Sequence, residues 1–286
     1  MLAALPADEV ILRIYDEGAW DVEEKGDKSP LTRADREAHA RISDTLREST
    51  PDIPVLSEEG AHLPYETRRV WKRLWVVDPL DGTKEFLNRN GEFTVNIALI
   101  EDGVPVVGIV AVPVLDTYYL AARGHGAYRA SRATLEPVLE TARDANSPLD
   151  AAGERLQAAL EQEAERLPIA EVGRGAARVV ASRSHLNEET SRFIEALEKR
   201  YGSVELVQAG SAVKLCRVAE GAADYYPRLA PTMEWDTAAG DAVVRETDGR
   251  VYAANADGSI DGTHLAYNKK DLHNPYFVAV RRGIEL

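Results

Sequence analysis

Apolar positions along the chain follow two periods, and each predicts a different element. In residues 31–50, Ala34, Ala38, Ile42 and Leu46 stand four apart. This spacing is the stripe of a helix that buries one face. We predict that the helix begins near Thr32.

A second pattern, rich in β-branched residues, begins at residue 93. The runs "FTVNIALI" and "VPVVGIVAV" are joined by "EDG", an arrangement typical of a β-hairpin. The following "DTYYLAARGHGAYR" predicts further strands of the same antiparallel sheet. We therefore predict an N-terminal α+β lobe over residues 1–130, in which helices precede a meander.

The character of the chain changes between residues 131 and 175, which are rich in Ala and Glu and carry turn residues early. There Leu156, Leu160, Ala164 and Leu167 lie on one face of a predicted helix. We interpret this segment as a connector or surface insertion with one amphipathic helix.

Beyond the connector, short strand patterns alternate with helical stretches at 187–200 and 211–221. The strand candidates are "ARVVAS", "SVELVQ" and "ADYYP". This alternation predicts a C-terminal α/β lobe over residues 176–286.

Composition narrows the classes of function. A chain of 286 residues can bury a large core, and its net charge of −14 disfavours nucleic-acid polymers as partners. An anionic substrate would need a local device, either metal ions or a few basic groups. The short apolar run at the start is interrupted by Asp8 and Glu9, so we expect no signal peptide or membrane span and a cytoplasmic location. Cys216 is alone, which excludes an internal disulfide and favours a small buried residue.

Carboxylates stand at the edge of apolar runs in three places. Glu58 and Glu59 lie in "VLSEEG", Asp78 and Asp81 in "WVVDPLDGT", and Asp236 in "MEWDTAAGDAVV". Each has an ordinary explanation alone: a solvated face, an Asp-Gly turn or a helix N-cap. Together they suit Mg²⁺, which takes mostly carboxylate, carbonyl and water oxygens as ligands.

The residues between and after the two aspartates strengthen this hypothesis. Pro79 lacks an N–H, so we expect it to end the strand's ladder and to turn both carboxylates and the Leu80 carbonyl toward one point. Gly82 allows close approach of the backbone to a ligand, and Thr83 can open a helix whose free N–H groups bind phosphate. The pattern predicts a metal and phosphate site at the end of this strand.

These motifs resemble a known family. "DPLDGTKEF", preceded by "SEE" and followed downstream by "WDTAAGDAVV", is similar to the inositol monophosphatase superfamily of Mg²⁺-dependent, lithium-sensitive phosphatases. With "VLSEEG", "SRSH", "GSAVKLCRVAEGAADYYPR" and "PTMEWDTAAG", the resemblance narrows to the CysQ-type 3′(2′),5′-bisphosphate nucleotidases. It covers nearly the whole chain, although residues 131–175 are longer than expected. It implies a layered α-β-α-β-α sandwich with the metal site between the two lobes.

The resemblance also implies a cofactor and a catalytic pair. Two or three Mg²⁺ ions would be held by Glu58, Asp78, the Leu80 carbonyl, Asp81 and Asp236, with Glu59 just outside. A metal-activated water would be polarised by Thr83 working with Asp35. Asp35 has an alternative role, because Thr32 and Asp35 have the spacing of a capping box.

The implied reaction is hydrolysis of the 3′-phosphate of 3′-phosphoadenosine 5′-phosphate (PAP) to AMP and phosphate, with the sulfated analogue PAPS as a second substrate. Lys214 and Arg228 are candidates for binding the non-scissile phosphate, and Ser182 and His185 for binding the sugar or base. The full set of substrate-binding candidates is Gly82, Thr83, Ser182, His185, Gly210, Ser211, Lys214, Arg228 and Asp236.

Two alternatives remain open. An inositol or sugar phosphatase would use the same metals, but "GTKEF" replaces the "GTTNF" associated with inositol monophosphatases, and a singly phosphorylated substrate does not need both Lys214 and Arg228. A non-catalytic sensor of nucleotide or metal would not need Thr83 beside the carboxylates. Members of the superfamily often form dimers, and the sequence leaves the oligomeric state open.

Overall fold

The computed structural model describes residues 1–18, 20–26, 29–61, 63–142, 149–169, 176–181 and 187–284 of the chain. Its helices are α1 (Ala4–Glu17), α2 (Arg33–Ser49), α3 (Tyr65–Arg68), α4 (Thr83–Leu87), α5 (Arg132–Ala142), α6 (Leu149–Glu163), α7 (Glu188–Tyr201), α8 (Val213–Ala219) and α9 (Glu234–Arg245), with a 3₁₀ turn at Pro113–Leu115. Its strands are β1 (Glu23–Glu24), β2 (Pro30–Leu31), β3 (Val55–Ser57), β4 (Arg73–Asp81), β5 (Thr94–Glu101), β6 (Val104–Val112), β7 (Thr117–Ala122), β8 (Gly126–Ala130), β9 (Glu165–Arg166), β10 (Ala177–Ala181), β11 (Val204–Gln208), β12 (Tyr225–Arg228), β13 (Arg250–Ala254), β14 (Ile260–His264) and β15 (Phe277–Val280).

The strands form two large sheets and a small pair. The first sheet has the order β3-β4-β5-β6-β7-β8-β9 and is antiparallel except for the β3–β4 pair. The second has the order β11-β10-β12-β15-β13-β14, with β10 parallel to both β11 and β12. The predicted "EDG" hairpin is confirmed: β5 pairs with β6 across Asp102 and Gly103, which both have positive φ.

Three apolar clusters show how the layers stack. One lies between the first sheet and α1, α2, α5 and α6; a central one packs α8 and α9 between the two sheets; a third packs α7 on the second sheet. The expected α-β-α-β-α order is confirmed. Helix α2 begins after Thr32 and buries Ala34, Ala38, Ile42 and Leu46, as predicted.

Helix α9 approaches the first sheet closely, and a glycine makes the contact possible. A Cβ atom on Gly108 of β6 would stand 2.3 Å from the carbonyl oxygen of Ala239 and 2.7 Å from the Cβ of Ala242. Because real Cβ atoms do not tolerate such distances, only glycine fits here. This contact fixes the depth at which α9 lies between the sheets.

The expectation of a single helix in residues 131–175 is wrong, while the interpretation of the segment as a connector or surface insertion stays a prediction. The segment contains α5, α6 and β9, and β9 pairs with β8 to extend the first sheet. Leu135, Leu139 and Leu160 are buried against that sheet, so the segment covers apolar surface that would otherwise meet water. Leu167 lies beyond α6 and belongs to the central cluster. The lobe boundaries stay a prediction.

Two further expectations concern Cys216 and membrane-spanning helices. Cys216 is fully buried in α8, as predicted, and burial raises the pKa of its thiol well above the ordinary value. Within the described ranges, no helix is long and apolar enough to cross a membrane.

Candidate active site

The end of β4 carries two of the predicted metal ligands in a bulge. Asp78 pairs with Asn96 of β5, the register then shifts, and Asp81 pairs with Thr94. The prediction that Pro79 ends the ladder is therefore wrong. Since proline removes one donor, the chain bulges at this point and the pairing resumes two residues later.

Few hydrogen-bond donors reach these two carboxylates. Asp78 is 1 % exposed, and its Oδ1 accepts from the backbone N–H of Leu80 at 3.0 Å. The Oδ2 of Asp81 accepts from Thr94 Oγ1 and Asn96 Nδ2, both at 3.4 Å. Buried carboxylates with so few donors remain available as ligands.

The third predicted ligand, Asp236, lies in the first turn of α9. Its Oδ2 accepts from the backbone N–H of Met233 at 2.9 Å. Met233 is the N-cap and Asp236 is the third residue of the helix, so the suggested N-cap position is wrong, although the side chain does cap the first turn. Helix α9 lies between the sheets, which places Asp236 in the same cleft as Asp81. Asp236 therefore uses one carboxylate oxygen to cap the helix and also faces the cleft.

The predicted ligands lie close enough for their charges to shift one another's pKa values. Burial, together with the charges of Glu58, Asp81 and Asp236, raises the pKa of Asp78 well above its ordinary value. Burial and the charge of Asp81 likewise raise the pKa of Asp236 to about 8. Such a group of buried like charges is unfavourable unless a cation joins it. Its donors are all oxygens, a set that fits Mg²⁺.

Sequence reasoning missed a lysine at this cluster. The Nζ of Lys25, which lies between β1 and β2, is 2.7 Å from Glu58 Oε1 and also bonds the carboxylate of Glu59. Burial opposes the charge of Lys25, but the hydrogen bonds to both glutamates outweigh it and raise its pKa. In the segment "VEEKGDKSP" nothing distinguishes this lysine from a solvated turn residue.

The cluster is consequently not arranged as a finished metal site. Among the residues that the structure describes, no three Asp, Glu, His or Cys side chains stand at ligand spacing. Glu58 instead faces Lys25. Binding of a divalent cation at Glu58 would require Lys25 to release it.

Asp35 caps α2 and also bonds Thr83, while its catalytic role stays a prediction. Its Oδ2 accepts from the backbone N–H of Thr32 at 2.7 Å and from the Thr32 hydroxyl at 2.5 Å, which completes the capping box of α2. Its Oδ1 accepts from the Thr83 hydroxyl at 3.3 Å. Burial raises the pKa of Asp35, and the Thr32 hydrogen bonds oppose that shift.

Gly82, Gly210 and Ser211 are packed against neighbouring backbone. The Ser211 hydroxyl lies 2.9 Å from the Asp81 carbonyl and 2.8 Å from the Glu92 carbonyl. Gly82 has φ +93°, and a Cβ there would stand 2.3 Å from Ser211 Oγ; a Cβ on Gly210 would stand 2.7 Å from the Glu92 Cβ. These residues hold two loops together at the cleft. Their direct contact with substrate stays a prediction.

The structure brings Lys214 and Arg228 into the cleft that contains the aspartates. The cleft has a volume of about 170 Å³ and is lined by Asp81, Asp236, Lys214, Arg228, Tyr226, Phe277, Lys84, Glu85 and others. Lys214 is 8 % exposed, and burial lowers its pKa against the opposing charge of Asp81. The Nε of Arg228 is buried and has no hydrogen-bond partner in the described part of the chain. Both cations are thus available to an anion in the cleft. Ser182 and His185 lie outside the described residues.

Comparison with known sequences identifies a family whose members match this chain. The sequence profile of the inositol monophosphatase family matches residues 1–282. A protein of Escherichia coli O157:H7 named 3′(2′),5′-bisphosphate nucleotidase CysQ is 43 % identical over 248 residues, which is 86 % of this chain and 85 % of that protein. The protein of the same name from Haemophilus influenzae is 32 % identical over 91 % of this chain and 83 % of that protein.

Solved structures agree with this assignment. The crystal structure of CysQ from Bacteroides thetaiotaomicron, described as a bacterial member of the inositol monophosphatase family, matches with a TM-score of 0.80 and 45 % identity over 99 % of this chain and 96 % of that one. The Thermotoga maritima IMPase matches with a TM-score of 0.65 at 24 % identity, covering 97 % of this chain and 89 % of that chain. The second likeness concerns the fold alone.

Proposed function

The chain belongs to the inositol monophosphatase family, and we propose that it is a 3′(2′),5′-bisphosphate nucleotidase that removes the 3′-phosphate of PAP to give AMP and phosphate. The observation that carries the proposal is the composition of one cleft. It holds Asp81 and Asp236 of the carboxylate cluster, and also the buried Lys214 and the half-buried Arg228. A substrate with two phosphates can use both groups of residues at once. PAPS, which differs from PAP in its 5′ substituent, fits the same arrangement.

We propose that the carboxylate cluster holds two or three Mg²⁺ ions. The ligands would be Glu58, Asp78, Asp81, Asp236 and the Leu80 carbonyl. Bound Mg²⁺ supplies positive charge that activates a water and neutralises the leaving oxygen of the ester. The number of carboxylates supports this role, because bound cations would relieve the mutual repulsion that raises the pKa of Asp78.

The Thr83–Asp35 pair would orient the attacking water. Asp35 Oδ1 accepts a hydrogen bond from the Thr83 hydroxyl. The lone pairs of Thr83 Oγ1 are therefore directed away from Asp35 and can accept a hydrogen bond from water. A proton taken from that water can pass through the hydroxyl to the carboxylate. The bonds from Thr32 hold the carboxylate in place for this task.

Lys214 and Arg228 would bind the phosphate that is not cleaved. Ammonium and guanidinium groups form charge-assisted hydrogen bonds to phosphate, and a buried ammonium lacks the water that would compete with it. An inositol phosphatase would have no second phosphate for this pair to bind. A sensor would have no use for the Thr83–Asp35 pair.

The proposal is tested by phosphate release in Mg²⁺ from PAP, inositol 1-phosphate and fructose 1,6-bisphosphate, with and without lithium. We expect strong preference for PAP and inhibition by lithium. Preference for either sugar phosphate would keep the metal site but refute the assignment of the second phosphate site. Binding of PAP without turnover would favour the sensor.

A further inference from the structure

We infer that Glu234 is a positioning residue for the carboxylate cluster. Together with Asn268 and Arg68 it would fix the start of α9, and hence Asp236, relative to the loop that follows Glu58. The inference deepens the proposed function and rests on it, because it concerns residues that place the proposed ligands. Glu234 stands two residues before Asp236.

Glu234 is bound firmly to a segment distant in sequence. The residue is 0 % exposed, and its Oε2 accepts from the backbone N–H of Asn268 at 2.6 Å. Its Oε1 accepts from the backbone N–H of Lys269 at 2.9 Å and from Lys269 Nζ at 2.6 Å. Hydrogen bonds to a buried carboxylate are strong and directional. They fix the first turn of α9 against Asn268 and Lys269.

The same two residues are held from the opposite side by Arg68, at the end of α3. Arg68 is 2 % exposed; its Nη1 donates to Asn268 Oδ1 at 2.7 Å and its Nη2 to the Lys269 carbonyl at 3.1 Å. Asn268 Nδ2 returns a bond to the Arg68 carbonyl at 2.9 Å. Asn268 has φ +62°, a conformation that asparagine adopts more readily than most residues. The segment therefore connects α3 to α9.

This connection spans the gap between the two parts of the cluster. The Nε of Arg68 also donates to the Leu63 carbonyl at 3.0 Å, and Leu63 is five residues after Glu58 in the chain. On the other side the connection ends at the turn that carries Asp236. The clustered negative charges tend to push these parts away from one another. The hydrogen bonds that join Glu234, Asn268 and Arg68 oppose that separation.

An alternative role is plain stability, because a carboxylate in the first turn of a helix interacts favourably with the helix dipole. The two roles predict different results for Mg²⁺ binding measured by calorimetry on the full chain without substrate. We expect Glu234→Gln to weaken Mg²⁺ binding about tenfold, as is typical for residues that orient ligands. The same factor should appear in the Mg²⁺ concentration that gives half-maximal turnover.

Asp241→Asn is the matched control. Asp241 lies on the same helix, is also 0 % exposed, and bonds Arg245 Nε at 2.8 Å and the Tyr267 hydroxyl at 3.0 Å. Its loss should lower the melting temperature without changing Mg²⁺ affinity. If Glu234→Gln behaves in the same way, Glu234 is a stabilising residue only and the inference is wrong.

Two further variants distinguish the hydrogen bonds of Asn268 from those of Lys269. They also keep the inference testable if the Glu234 variant fails to fold. Asn268→Gly keeps the positive φ and the N–H that binds Glu234, but it removes both side-chain bonds to Arg68; we expect weaker Mg²⁺ binding. Lys269→Met removes the Nζ bonds to Glu234 and to the Ala266 carbonyl. We expect Mg²⁺ affinity within about twofold of the unchanged chain, because both backbone bonds to Glu234 remain. Unchanged affinity in Asn268→Gly would overturn the inference. Absence of Mg²⁺ binding in the unchanged chain would overturn the proposed function as well.

Discussion

Asp8 provides a test of the structure that is independent of the proposed reaction. It lies in α1 and is 0 % exposed, and among the residues that the structure describes neither of its carboxylate oxygens has a hydrogen-bond partner. Burial raises its pKa from 3.8 to about 7; Tyr118 and Arg132 lie close enough to lower it, while Glu9 and Asp116 raise it. The folded chain therefore binds the Asp8 proton more tightly than the unfolded chain does.

The sign and size of the effect on stability follow from this difference. Below pH 3.8 the carboxyl is protonated in both states, so its titration contributes nothing. As the pH rises toward 7, the unfolded state releases the proton first, and its free energy falls relative to that of the folded state. The penalty is complete above about pH 7, where it reaches about 4 kcal/mol, since each pH unit of difference is worth about 1.4 kcal/mol.

The assay is urea unfolding of the unchanged chain and Asp8→Asn at several pH values between 4 and 8, without added metal. Asn cannot ionise, so the variant should gain stability relative to the unchanged chain by up to about 4 kcal/mol as the pH rises. Asp16→Asn is the control, because Asp16 lies on the same helix and is exposed in the folded chain, so it stays solvated in both states. A constant difference between Asp8→Asn and the unchanged chain over this range would refute the assigned burial of Asp8.

Three further predictions concern the site and its support. Asp81→Asn should abolish turnover while the fold is kept, measured as initial rate against Mg²⁺ concentration beside circular dichroism; near-normal rates at low Mg²⁺ would show that Asp81 is not a ligand. Lys214→Ala should raise the KM for PAP at least about tenfold, because it removes a charged hydrogen-bond donor, and should change the KM for a simple monophosphate far less. Equal changes for both substrates would place Lys214 away from the second phosphate. Gly108→Ala should destabilise the chain by about 1–3 kcal/mol in urea unfolding, because the new Cβ would overlap Ala239 of α9, and an unchanged midpoint would mean that α9 can shift.

The features that could be predicted from sequence are those determined by neighbouring residues. The four-residue spacing from Ala34 to Leu46 is set by the geometry of a single helix, and the structure forms that helix over Arg33–Ser49. The "EDG" hairpin likewise depends on a local turn. The packing of the helices in segment 131–175 on the sheet could not be predicted, because Ala/Glu-rich helices look alike whether they lie on water or on a sheet. Only the contacts of Leu135, Leu139 and Leu160 with the sheet distinguish the two cases.

Three charged groups near the cluster, Lys25, Lys269 and Arg68, could not be predicted, and the physical reason is the same for each. Lys25 reaches Glu58 across 33 positions, Lys269 reaches Glu234 across 35, and Arg68 reaches Asn268 across 200. In sequence each is a lysine or arginine among polar residues; only folding removes its partner from water and makes the pairing strong. A chain with net charge −14 has no general surplus of cations, so these pairs must be brought together by the fold at the carboxylates that need them. We therefore expect the charged partners of the motif carboxylates to lie far from those motifs in sequence and next to them in space.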